Sequence, residues 1–94
     1  MRNEPLVFEW DEINEAHVRE HGLWDWEVDQ VLSNQHVLVA NRRRRSRRKF
    51  LIGRTDGGKP ITVVIEKTRV PGTYRPITAW PCRDSELAVL EKKG

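Results

Sequence analysis

Cysteine is nearly absent from this chain. Cys82 is the only one in 94 residues, so no disulfide can form within the chain, and a reducing compartment fits that composition. Long apolar runs are also missing. Nothing approaches the roughly 18 consecutive apolar residues of a membrane-crossing helix, and the N-terminal segment MRNEPLVFEW lacks the apolar core of a secretory signal. These absences lead to the expectation of a soluble, cytoplasmic protein with no membrane partner. No HExxH pattern and no Cys/His set accompanies the three histidines, so neither a metal nor a cofactor is expected. There is no internal repeat and no linker, which leaves a single domain over residues 1–94. Positive charge is scarce at the start: residues 1–34 hold only Arg2 and Arg19 against nine acids, a net −7.

What is present is equally uneven. Seven of the eight residues from Arg42 to Lys49 (RRRRSRRK) are basic. The whole chain has 17 Lys+Arg and 14 Asp+Glu; without those seven cations, ten basic residues face 14 acidic ones, a net −4. A body that is acidic on balance thus carries one concentrated cationic element. Such an element draws in polyanions and releases counterions when it meets phosphate. Arg42, Arg43, Arg44, Arg45, Arg47, Arg48 and Lys49 are therefore candidate nucleic-acid-binding residues, although a solvated loop or a seat for an acidic protein segment is equally consistent with the charge. A chain of this size buries only roughly 60–65% of its unfolded surface, so its four tryptophans supply a large share of the available apolar area.

The pattern predicts a β-α-α-β-β-β-β-α order. Leu6–Trp10 reads as a short strand, after which Asp11 caps a helix that has Glu12 and Glu15 in its first turn and stops at Gly22. Trp24, Val28, Val31 and Leu32 fall on one face of a second helix, which puts Trp24 in the core. Trp26 points elsewhere and is a candidate for an interface. Strands are expected at 37–40, 50–55, 61–68 and 74–80, with Asp56-Gly57-Gly58 as a tight turn and the basic run as the loop, or the frayed strand ends, joining the first two. Pro76 calls for a position where its nitrogen has no strand partner. Asp84 or Ser85 begins a last helix. Grouped strands flanked by helices argue for an α+β fold on an antiparallel sheet.

His17 and His21 lie one helical turn apart, and imidazole can transfer protons near neutral pH. His21 also suits the negative end of a helix dipole in a purely structural role; His36 stands alone before a strand. The segment Trp10-Asp11-x-x-Asn14-x-x-His17-x-x-x-His21-Gly22 resembles the N-terminal signature of the BrnT family, toxins of bacterial toxin–antitoxin pairs. The resemblance continues through a helix over 25–32, Leu51–Gly58, Ile61–Ile65 and Tyr74–Ala79, with Glu86 downstream. It implies a RelE-like fold with two N-terminal helices and one C-terminal helix, and a metal-independent endoribonuclease acting on RNA. It also implies a cognate ribbon-helix-helix antitoxin, operator DNA bound through the complex, and a homo-dimer or a hetero-tetramer with that antitoxin.

Metal-free RNA cleavage needs a base for the 2′-OH, a cation for the phosphorane and an acid for the leaving 5′-oxygen. Arginine suits the cationic task because its charge is permanent and its fork matches phosphate. Arg75 and Arg54 match the family pattern, with Arg75 read as sharing a strand face with Ile77 and Ala79; a cross-strand ion pair, for instance with Glu66, is the structural alternative. His21 is the first candidate for proton transfer and His17 the second. The chain departs from the family at Thr78-Ala79-Trp80, where a Ser-Ala-Arg triplet is common, and at Leu90, where a tyrosine is often found. Trp80 either stacks a base, worth about 1–3 kcal/mol, or packs inside the fold. A binding module without catalysis, gripping nucleic acid or antitoxin through the 42–49 loop, is the alternative to the ribonuclease.

Overall fold

The computed structural model describes residues 6–40 and 47–93. Arg42, Arg43, Arg44 and Arg45 lie outside the described residues. The elements are β1 (Val7–Phe8), α1 (Glu12–Glu20), α2 (Asp25–Asp29) continued by one 3-10 turn (Gln30–Leu32), β2 (His36–Ala40), β3 (Arg48–Arg54), β4 (Pro60–Lys67), β5 (Thr73–Pro81) and α3 (Asp84–Lys93). This is the predicted order in an α+β domain. The sheet differs in one respect: it is mixed. Strands β2 to β5 form an antiparallel meander, but β1 adds to β5 in parallel, giving the order β1-β5-β4-β3-β2. The two helices between β1 and β2 carry the chain across the sheet, which a parallel edge pairing requires.

Helix α1 is fixed at both ends by local chemistry. Asp11 Oδ1 accepts from the backbone N–H of Ile13 and Asn14 at 2.8 and 3.0 Å, while Asn14 Oδ1 accepts from the Asp11 N–H at 2.8 Å. That is a reciprocal capping box with asparagine as the returning partner. At the other end Leu23 N–H bonds Val18 O at 3.0 Å and Gly22 N–H bonds Arg19 O at 2.9 Å. Gly22 has φ +81°, the left-handed closure that glycine adopts at least cost. The closure buries Leu23 beside Val18.

It also corrects the expected place of Trp24. That residue is the extended N-cap of α2, with φ −111° and ψ 152°, so it is not on the helix and does not continue its stripe. Trp24 is 49% exposed, with the Arg19 guanidinium 5.2 Å above its ring. Leu23 takes the core position one residue earlier, and Trp26 is exposed as well.

One face of the sheet and the first two helices enclose the core: Phe8, Val18, Leu23, Val28 and Val31 against Leu51, Ile61, Val63, Ile65 and Ala79. Gly53 permits the 3-10 turn to sit directly on β3; a Cβ there would lie 2.9 Å from His36 Cβ and 3.1 Å from Val31 Cβ. The opposite face presents Ile52, Thr62, Val64, Thr78 and Trp80 by strand alternation. There α3 packs on β2 and β3 with Leu90 buried.

Strand β5 is irregular. Val64 pairs Thr78 and Ile65 pairs Pro76, so Ile77 is an extra residue opposite no partner of its own. This bulge reverses the alternation. Arg75, paired with Glu66, therefore shares its face with Thr78 and Trp80, whereas Pro76 and Ala79 face the helical core. The expectation that Arg75 lies on the face of Ala79 fails for that reason. Pro76 sits just past the end of the β1 pairing, where β5 has no strand on its outer side and the missing N–H costs no ladder bond.

Candidate functional site

Helix α1 runs along the stretch of β5 that β1 leaves uncovered. Two of its side chains bond the carbonyls there. Buried Asn14 donates from Nδ2 to Pro76 O at 2.9 Å and to Glu9 O at 3.0 Å. His17 Nδ1 lies 3.0 Å from Ile77 O. A carbonyl oxygen only accepts, so Nδ1 carries the hydrogen, and Nε2 of this exposed ring meets no partner among the described residues. The bulge residue thus orients this imidazole.

Arg75 stands two residues earlier on β5, and its Nη1 donates to Asp11 Oδ2. The Arg75 bond, followed by the N–H groups of Asn14 and Ile13, holds the Asp11 carboxyl down at about 2. Arg75 is in turn shifted upward, first by Asp11 and then by the charges of Glu9 and Glu66. Its side chain keeps 31% of its exposure, and among the described residues only one of its five N–H donors is engaged. Asp11 caps α1 and His17 lies six residues on, about 9 Å along the helix. Arg75 and His17 therefore stand on the same stretch of α1 and β5.

His21 and Trp80 form a different group. Trp80 Nε1 donates to Glu86 Oε1 at 3.0 Å, Thr62 Oγ1 donates to the same oxygen at 3.0 Å, and the Arg83 N–H does so at 2.8 Å. The Arg83 guanidinium lies 5.1 Å from the Trp80 ring centre, and the His21 ring meets that indole edge-on at 6.3 Å. Trp80 is therefore part of the clamp that docks α3, with its N–H and one ring face engaged. Cys82 belongs to this group, 3.4 Å from Thr62 Oγ1. Burial pushes its thiol up, reinforced by the Glu86 charge against the Thr62 bond and Arg54, which makes it a poor nucleophile.

Arg54 is elsewhere. Its Nη1 donates to Gly58 O at 3.3 Å and its Nη2 is 3.7 Å from a Glu91 carboxylate oxygen. It borders a depression of about 420 Å³ with Asn34, Gln35, Thr55, Gly58, Leu90 and Glu91. Arg54 pairs Pro60 and Arg75 pairs Glu66, six residues apart on β4 and so about 20 Å along the strand. The two arginines are not brought to one phosphate.

The described end of the basic run takes the second of its two expected forms, a strand end. Arg48 and Lys49 open β3, Arg48 pairs Glu66, and Glu66 pairs Arg75 on its other side. Arg47 and Lys49 line a depression of about 620 Å³ together with Lys67, Thr68 and Arg69. Lys67 and Arg69 were not legible as site residues, because only the hairpin register brings them beside the run. Among the described residues no three His, Cys, Asp or Glu side chains gather as a metal site. No described helix is long and apolar enough to cross a membrane. Neither the protein-family models nor the curated proteins contain a match to this chain.

Proposed function

We propose that this chain is a metal-independent endoribonuclease, the toxin of a cytoplasmic toxin–antitoxin pair, with Arg75 and His17 as its working residues. The observation that carries the reading is the anchoring of His17 Nδ1 on Ile77 O, two residues from an arginine that gives one N–H to Asp11. His17 Nε2 takes the proton of the RNA 2′-OH, and the 2′-oxygen attacks phosphorus. Arg75 offsets the charge on the phosphorane. His21, four residues on at the C-cap of α1, is the proposed acid for the leaving 5′-oxygen. The products are a 2′,3′-cyclic phosphate and a free 5′-hydroxyl. The resemblance of the sequence to BrnT toxins supplies the RelE-like fold type, the antitoxin partner and RNA as substrate in this proposal. Arg54, about 20 Å away, has no part in the step.

The test is cleavage of end-labelled RNA in EDTA. Wild type should generate cyclic-phosphate ends, Arg75→Ala should lose roughly 10²–10³-fold in rate, and His17→Gln roughly 10²–10⁴-fold. Equal cleavage by all three overturns the assignment.

A second reading, a non-catalytic module that grips nucleic acid or antitoxin, draws on the engagement of Trp80 by Glu86 and Arg83 and of Arg75 by Asp11. It predicts intact RNA and unslowed growth when wild type is expressed.

A further inference from the structure

We infer that Arg47, Lys49, Lys67 and Arg69 form a fixed seat for the sugar–phosphate backbone of single-stranded RNA, separate from Arg75 and His17. This rests on the RNA-directed reading above and adds where the strand is held. Lys49 pairs Ile65 across the β3–β4 ladder, and Lys67 follows two residues after Ile65, so both lysines stand on one face of the sheet. One step beyond the Arg48–Glu66 pairing the same register sets Arg47 beside Lys67, and all four cations border the depression of about 620 Å³.

Like charges placed side by side across strands oppose folding. Among the described residues none of the four is paired with a carboxylate. Glu66, the nearest acid in the sequence, is turned by alternation to the opposite face, between Arg48 and Arg75. A cluster of cations like this is what an anionic ligand would relieve.

The rim is pre-shaped. Thr68 Oγ1 donates to Thr73 O at 2.7 Å and accepts from the Val70 N–H at 3.1 Å, while the Thr73 N–H bonds Val70 O at 3.0 Å. Thr68 is thereby committed to its own turn, and that turn presents Arg69. The lining contains no apolar side chain. A protein partner ordinarily seeks an aromatic or aliphatic anchor point, whereas a phosphate backbone needs only charge and forked donors. The chemistry favours RNA over an acidic peptide.

The experiment measures binding of a fluorescent 2′-O-methyl RNA oligomer, which lacks the attacking hydroxyl, as a function of salt. Comparison is between wild type and a K67Q/R69Q variant, whose exposed positions leave the core untouched. Each single-strand phosphate contact contributes about 0.7 to the slope of log K against log salt, so the variant should lose about 1.4 and weaken equally for all oligomer sequences. An unchanged slope with wild-type RNA binding intact overturns the seat alone. Displacement of RNA by polyglutamate at equal charge overturns RNA as its ligand. No binding of the oligomer by wild type overturns both the seat and the RNA reading.

Discussion

Asp11 performs two tasks with its two oxygens: Oδ1 caps α1 and Oδ2 holds Arg75. Its carboxyl is held at about 2 against an ordinary value of 3.8. A folded-state value below the unfolded one means stability that is full above the unfolded value and is lost as pH falls through the folded one. The window is thus from about pH 4 down to about pH 2. Asp11→Asn keeps a side-chain acceptor for the helix but removes the charge, so its acid-unfolding curve should be flatter than wild type across that window. Identical curves by circular dichroism would contradict the coupling. Sequence reading found the cap and found Arg75, yet not their meeting. They are 64 residues apart, and the bulge at Ile77 that sets Arg75 on the face of Thr78 and Trp80 leaves no mark in a pattern of alternating residues. Trp24 fails for a related reason: a helical count begun one residue early selects the indole, whereas the glycine closure turns Leu23 inward.

Among the elements, α3 packs on β2 and β3 through buried Leu90 and is also tied down by one carboxylate oxygen on which Thr62, Trp80 and the Arg83 N–H converge. Glu86→Ala leaves three donors without that acceptor and should cost on the order of 2 kcal/mol, with amide exchange accelerated in α3 and not in α1. Unchanged urea midpoints would show the clamp to be incidental. The meander of β2 to β5, the capped α1 and the Gly22 stop were all legible, because each is written in local chemistry: alternating strands, a side-chain cap, a residue free to take positive φ. The parallel placement of β1 was not. A two-residue strand carries too little pattern to declare its partner, and its position follows from where the helices deliver it.

At the scale of the molecule, charge and chemistry are distributed to different places. The described acidic residues of the first 34 positions lie mainly on α1 and α2, while the described cations of the basic run meet Lys67 and Arg69 at one end of the β3–β4 hairpin. Arg75 on β5 and His17 on α1 lie along the β5 edge that α1 covers, and Arg54 closes the far end beside α3. In the proposed function, gathering RNA and cutting it fall to separable residues. The most direct test is single-turnover cleavage of a labelled RNA in EDTA, with protein titrated to saturation. K67Q/R69Q should need more protein to saturate yet reach the wild-type maximal rate, whereas Arg75→Ala should saturate near the wild-type concentration with a maximal rate lower by roughly 10²-fold or more. If Arg75→Ala reaches the wild-type rate, or if wild type leaves the RNA intact, the account is contradicted.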